Sequence, residues 1–248
     1  MNEIFSRSAV LLGPDAMNKL QRSKVAVFGV GGVGGYCAEA LARCGIGSLH
    51  LYDDDKVSPS NINRQIIALH STLDQPKVDV MARRILDINP QCHVETFPIF
   101  YLPQSADQVE LSQYDYVVDC IDTITAKLDL IVRCKQLTVP IISAMGTGNK
   151  IDPTAIQLTD LSKTEGCPLA RVMRKELKKR SITHLNVVYS REQPMPVDTH
   201  ISQDSQLPSS TRPGSTARKD TPGSLPFVPA AAGLTAAYAV VRELISHR

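Results

Sequence analysis

The chain lacks paired cysteines. Its six, at positions 37, 44, 92, 120, 134 and 167 of 248 residues, include no Cys-x-x-Cys spacing, which excludes a zinc knot or a redox dithiol and leaves reduced thiols as the expectation. A basic leader followed by an apolar run is also missing. The opening "MNEIFSRSAVLLGPDAMNKLQ" mixes charge throughout, so a cytoplasmic location is expected. No uncharged apolar stretch reaches the ~18 to 20 residues of a membrane span. The longest, "VPAAAGLTAAYAVV" at 228–241, stops at Arg242 and Glu243 and predicts a buried or interface helix instead. Strong charge imbalance is absent too: the formal net charge is +2, with 43% hydrophobic and 21% charged residues, which excludes a disordered or fibrous chain. The length suits one large α/β domain over 1–248.

Apolar runs rich in Val, Ile and Tyr at 24–30, 48–53, 93–99, 114–122 and 139–145 read as strands. Helical periodicity fills 32–44, 75–88, 103–111 and 124–137. Alternation of this kind predicts a mostly parallel sheet flanked by helices, with ligands beyond the strand C-termini. Residues 191–226 break the pattern with six prolines, many Ser, Thr and Gly, and almost no large apolar side chains. Such a stretch cannot offset its ordering entropy by burial and predicts a flexible excursion.

The first strand runs into Gly29, Gly31, Gly32 and Gly34, and a helix follows. That context makes the Gly-x-Gly-x-x-Gly-like spacing a nucleotide site, because glycines let backbone N–H groups approach a phosphate closely. Asp53 ends the second strand, where a Rossmann-like unit places its ribose-binding carboxylate. NAD and ATP both fit that much. The following "DDDKVSPSNINRQ" (53–65) and Lys77, opening another helix, supply more phosphate-directed groups than a nicotinamide needs. They favour a triphosphate.

These four segments, the glycine turn, "YDDDKVSPSNINRQ", "QPKVDVMARRILDINP" and "VVDCIDT", resemble the E1-like adenylating superfamily over roughly residues 5–150. Members activate a carboxylate with ATP on a Rossmann-like, E1-type adenylation fold. The resemblance implies that Asp53 takes the ribose hydroxyls and that Asn61, Arg64, Gln65 and Lys77 surround the phosphates. It also implies that Asp122 holds Mg²⁺ and that Ser60 adds a hydroxyl contact. Asp55 belongs to the same three-aspartate turn. Arg7 is expected to act across a homodimer interface, to which the small-residue helix near the C-terminus is one candidate contributor.

The second half, "DLSKTEGCPLARVMRKELKKRSITHLNVVYSREQP" and "GSLPFVPAAAGL", resembles the branch of tRNA threonylcarbamoyladenosine dehydratases, which use ATP to cyclise a threonylcarbamoyl group on the adenosine next to the anticodon. After Pro168, Leu169, Val172, Met173 and Leu177 recur at helical spacing as an apolar stripe. Arg171, Arg174, Lys175, Lys178, Lys179 and Arg180 against Glu176 give +5 over residues 168–180. A tRNA backbone is the expected partner of that charge. Internal attack by the carbamoyl group needs no enzyme thiol, which matches a 191–226 segment without cysteine; Cys167 is expected to be inert. The main alternative is an adenylating enzyme for the C-terminal carboxylate of a ubiquitin-like sulfur carrier, and a sulfur-transfer protein is a further possible partner. A non-catalytic nucleotide-binding adaptor and, more distantly, a nicotinamide oxidoreductase complete the set.

Overall fold

The computed structural model describes residues 3–196 and 222–246. Seven strands form one sheet: β1 (Lys24–Phe28), β2 (Ser48–Tyr52), β3 (His93–Phe97), β4 (Tyr116–Asp119), β5 (Ile141–Ala144), β6 (Ile156–Asp160) and β7 (Asn186–Ser190). Their order is β3-β2-β1-β4-β5-β7-β6. Every neighbouring pair is parallel except β6 with β7. The chain grows outward from β1 to β3, then crosses back to β4 and grows the other way. The reversal between β1 and β4 opens a crevice beyond their C-terminal ends, where open α/β sheets bind ligands.

The helices are α1 (Ser6–Leu12), α2 (Pro14–Arg22), α3 (Gly34–Arg43), α4 (Lys77–Ile88), α5 (Ile124–Gln136), α6 (Pro168–Lys178) and α7 (Phe227–Ser246). The central strands β1, β4 and β5 are buried nearly throughout, as parallel strands covered on both faces must be. One apolar cluster joins α3, α4 and α7 to one face of the sheet through Val25, Val27, Leu49, Leu51 and Val118; α5 and α6 cover the other through Ala26, Phe28, Val117 and Val187.

Five predicted strands stand at their expected places, shortened at the ends. Strands β6 and β7 were not anticipated, because five-residue segments with mixed polar positions carry a weak alternation signal. The helix predicted over 103–111 is instead a 3₁₀ segment, Pro103–Gln108, closed by Ser105, which accepts the Leu102 N–H at 3.1 Å. The final helix runs past Arg242 and Glu243, where its uncharged stretch ends. Glu243 accepts a 2.8 Å hydrogen bond from the Tyr116 hydroxyl and Arg242 lies 5.4 Å from the Tyr238 ring, so both charges are accommodated and the helix continues to Ser246. At 20 residues, it is long and apolar enough by composition to cross a membrane. Its buried face packs on the sheet and on α3, the position of a core helix. Cys37 is buried in α3, whereas Cys44 caps its end half-exposed.

Most of the proline-rich excursion, residues 197–221, lies outside the described residues. Its two described ends are tied to Asn149. The Met195 N–H donates to the Asn149 carbonyl at 2.7 Å, and the Gly223 N–H to Asn149 Oδ1 at 2.6 Å.

Candidate active site

A cleft of about 500 Å³ occupies the crevice beyond β1, β2 and β4. Its floor is the glycine turn. Gly29 has φ +86°, and a Cβ there would lie 2.7 Å from the Cys120 carbonyl oxygen. At Gly34 a Cβ would fall 1.8 Å from the Gly29 carbonyl oxygen. These two positions let α3 start directly against the strand ends, aiming its N-terminus into the cleft. Gly29, Gly31 and Gly32 line the cleft, while Gly34 is buried behind them.

Asp53 binds that turn to the next loop. Its carboxylate accepts the Val30 N–H at 2.7 Å and the Asp55 N–H at 2.9 Å. Burial pushes its pKa above the ordinary aspartate value, with the Lys77 ammonium pulling the other way. Lys77, the first residue of α4 and only 4% exposed, holds Asp55 Oδ2 at 2.7 Å. The Lys77 N–H donates to the Asp55 carbonyl at 3.0 Å, locking the acidic turn to the helix start.

Arg64 donates to the Ser60 carbonyl at 2.7 Å and to Asn63 Oδ1 at 3.1 Å, and burial lowers its pKa without threatening its charge. Asn61 Oδ1 accepts the Ser58 N–H at 3.1 Å. Gln65 is 7% exposed, and its buried Oε1 has no hydrogen-bond partner among the described residues. Ser60 and Asp122 stand exposed on opposite walls, the latter just past β4 and accepting the Thr123 hydroxyl at 3.2 Å.

The donor set fits a magnesium triphosphate. Two cations, Arg64 and Lys77, face a glycine cradle and a helix N-terminus. In the same cleft, Asp53, Asp55 and Asp122 offer the hard carboxylate oxygens that Mg²⁺ requires. Gln65 Oε1 is a buried acceptor that a nucleotide hydroxyl or water can satisfy.

This chain matches the ThiF family over residues 5–247. The chain belongs to the ThiF family. It is 41% identical over 247 residues to the tRNA threonylcarbamoyladenosine dehydratase of Bacillus subtilis, an alignment covering 97% of this chain and 94% of that protein. It is 43% identical over 174 residues to the Escherichia coli enzyme of that name, covering 70% of this chain and 65% of the relative. The crystal structure of the Escherichia coli tRNA N6-threonylcarbamoyladenosine dehydratase in complex with ATP superimposes with a TM-score of 0.84 at 33% identity, covering 98% of this chain and 94% of that one. The mostly parallel sheet is thus the E1-like adenylation fold expected of a ThiF protein.

Of the residues singled out in the sequence, Gly29, Gly31, Gly32, Asp53, Asp55, Ser60, Asn61, Arg64, Gln65, Lys77 and Asp122 converge on this one cleft. Arg7 is not among them; it is exposed on α1. On α6 the buried face is Ala170, Met173 and Leu177, while Val172, assigned to the apolar stripe, is 40% exposed. Ala170 takes the buried position, which at helical spacing leaves Val172 turned outward. Arg171, Lys175, Lys178, Lys179 and Arg180 are exposed. Arg174 differs: its Nη1 donates to the Leu161 and Thr164 carbonyls and to the Thr164 hydroxyl, pinning the preceding loop. Cys167 is buried at the start of the helix.

Two features of this ThiF site escaped the sequence. Phe28, Tyr52 and Phe97, adjacent in register on β1, β2 and β3, stack with ring centroids 4.2 and 4.4 Å apart, and Tyr101 meets Phe28 edge-on at 5.2 Å. Phe28, Tyr52 and Tyr101 line the cleft, and Phe97 backs them from β3. The second is an ion pair behind Asp122. Asp119 and Lys127 are fully buried, 3.0 Å apart. Lys127 also donates to the Ile121 carbonyl at 3.0 Å, and Asp119 accepts the Ile121 N–H at 3.1 Å and the Ser143 hydroxyl at 2.5 Å. This network fixes the turn that carries Asp122. The "VVDCID" segment contains both aspartates, but only the fold reveals that one is buried on a lysine eight residues later and the other faces the cleft.

Proposed function

We propose that this protein catalyses the ATP-dependent dehydration of N6-threonylcarbamoyladenosine in tRNA, acting as one unit over 1–248. The observation that carries the reading is the match over nearly the whole chain to enzymes of that name, combined with a cleft whose residues suit an ATP-activated carboxylate. The sulfur-carrier alternative loses its weight, since that same near-full-length similarity is to a dehydratase.

The threonine carboxylate of the modified base attacks the α-phosphorus of ATP and pyrophosphate leaves. An atom of the neighbouring carbamoyl group then attacks the activated carbonyl, a ring closes, and AMP departs with one carboxylate oxygen. The net change in the nucleoside is loss of one water. Arg64 and Lys77 neutralise charge developing on the pyrophosphate; Lys77 can exchange Asp55 for phosphate without leaving the wall of the cleft. Asp53 anchors the ribose, with Asn61, Gln65 and Ser60 around the nucleotide. Asp122 would hold Mg²⁺, which would supply a Lewis acid for the phosphates. Attack from within the substrate has a high effective molarity, so no enzyme thioester is needed. Burial pushes the Cys120 thiol in the cleft up to about 12, which keeps it protonated and non-nucleophilic at neutral pH.

The exposed basic residues of α6 form the tRNA-binding face. A homodimer with Arg7 reaching the neighbouring ATP site is supported by apolar side chains left exposed on α1, Val10 and Leu11, and on one stripe of α7, Leu234 and Tyr238.

The test is mass spectrometry of nucleosides after mild digestion of modified tRNA incubated with protein and Mg-ATP. Loss of one water with stoichiometric AMP is expected, and Asp122→Ala abolishes it with the fold intact. No loss of water, in conditions where a known dehydratase is active, would overturn the reading.

A further inference from the structure

A second cluster of ligating side chains lies away from the cleft, on the outer edge of the sheet. His50 on β2 stands opposite Glu95 on β3 in parallel register, and His93 precedes Glu95 by two residues, so all three side chains project from one face. One ligand atom from each lies within 4.8 Å of the other two. The His93 Nε2 to Glu95 Oε1 distance is 2.9 Å and that from His50 Nε2 is 3.7 Å.

His50 provides the independent sign that something belongs there. It is 1% exposed, and its Nε2 is buried with no hydrogen-bond partner among the described residues. Its other nitrogen, Nδ1, lies 3.0 Å from the Tyr114 hydroxyl, which is itself 2.5 Å from the Tyr52 hydroxyl. Tyr114 can donate to Tyr52 and accept from His50 Nδ1–H, the tautomer that leaves the Nε2 lone pair free beside Glu95 and His93. A lone pair facing a carboxylate is a poor arrangement for a resting hydrogen bond and a good one for a cation.

We propose that His50, His93 and Glu95 form a binding site for a divalent transition cation of the zinc class. Two imidazoles and one carboxylate are the donor set such ions favour, and Mg²⁺ does not. A tetrahedral centre with bonds of ~2.0 to 2.1 Å needs ligand atoms roughly 3.3 to 3.5 Å apart, which the observed spacings bracket. His93 and Glu95 are 64% and 45% exposed at their side chains, leaving the fourth position to water. Tyr114 is the outer partner that fixes the His50 tautomer. Lys24, a cation whose field reaches His50 and Glu95, donates to Gln113 Oε1 at 3.2 Å. The ion cross-links the edge strand β3 to β2, a strand otherwise held from one side only, and through Tyr114 it braces Tyr52 in the aromatic wall of the cleft.

The test is Zn²⁺ binding by calorimetry to the full chain, with excess Mg²⁺ occupying the hard-oxygen aspartates, and Co²⁺ absorption as the readout of ligand type. One equivalent of Zn²⁺ is expected, with a visible Co²⁺ spectrum of nitrogen and oxygen ligation and no thiolate charge-transfer band. His93→Ala and Glu95→Gln, both at exposed positions that leave the fold undisturbed, are each expected to weaken binding at least about tenfold, and Tyr114→Phe about tenfold. Absence of Zn²⁺ uptake, a thiolate band, or binding unchanged in both His93→Ala and Glu95→Gln would overturn the site.

Discussion

Two aspartate–lysine pairs flank the cleft, and they have the same chemistry with opposite consequences. Asp119 and Lys127 are 3.0 Å apart and wholly buried, and each makes further hydrogen bonds to the turn between β4 and α5. Asp55 and Lys77 are 2.7 Å apart, but the Asp55 side chain is 38% exposed to the cleft. In the first pair neither charge can be resolvated or traded, so it works as scaffold. In the second the carboxylate can turn to water or metal while the ammonium takes a phosphate. Exposure, not distance, separates a structural ion pair from one that a ligand can open.

Removing Lys127 gives the largest effect. Lys127→Met strands a buried carboxylate and is expected to cost about 3 to 5 kcal/mol in urea unfolding; a cost below that of Lys77→Met would break the distinction. Lys77→Met is expected to lower dehydration ~10²- to 10³-fold while shifting stability by no more than about 1 kcal/mol, because Asp55 then meets solvent. Normal turnover with lost stability would reverse the assignment of the two pairs.

The pair Glu176–Lys179 at the end of α6 extends the series. It is only 2.6 Å long, yet its lysine side chain is 59% exposed, so it can be exchanged for an RNA phosphate. Charge reversal at Lys178 and Lys179 is expected to weaken tRNA binding roughly tenfold or more and to flatten its dependence on salt by about one to two in logarithmic slope. Binding unchanged across a salt titration would place the RNA elsewhere.

Acidity probes the cleft side more gently. Because burial raises the Asp53 pKa, protonation sets in at a higher pH than for an exposed aspartate, and ATP affinity is expected to fall as pH drops through that raised value. The linkage to stability has the opposite sign: the burial penalty on the carboxylate is full above the folded pKa and disappears as pH falls below the unfolded one, so this term favours the fold in acid while ATP affinity declines. Lys77→Met removes the opposing ammonium and moves the acid limb to higher pH still. An acid limb that stays put in this variant, followed by nucleotide binding across pH, would uncouple Asp53 from Lys77. The smallest effect belongs to Cys120→Ser, expected to keep turnover within about twofold because no thioester forms; a loss of activity would implicate the thiol.

The sequence made the cleft face of the candidate site legible and the support behind it opaque. Gly29, Asp53, Arg64, Lys77 and Asp122 could be read because each sits in a short motif whose spacing is set by a local strand, turn and helix. Asp119 with Lys127, and the Phe28–Tyr52–Phe97 stack, depend on strand register and on which residue at a strand end points inward, and no local pattern encodes either. Strands β6 and β7 were hidden for a related reason: they are short, β6 is only partly buried, and β7 is buried from both faces by elements distant in sequence. Helix α6 was foreseen with one face misassigned, since periodicity alone could not choose between Ala170 and Val172 as the buried neighbour.

The most direct measurement follows oxygen. With ¹⁸O in the threonine carboxylate of modified tRNA, the released nucleotide is analysed by mass spectrometry after a single turnover. Adenylation followed by internal attack predicts AMP carrying one ¹⁸O for every ring closed. Unlabelled AMP, or ADP and labelled phosphate in its place, would contradict it.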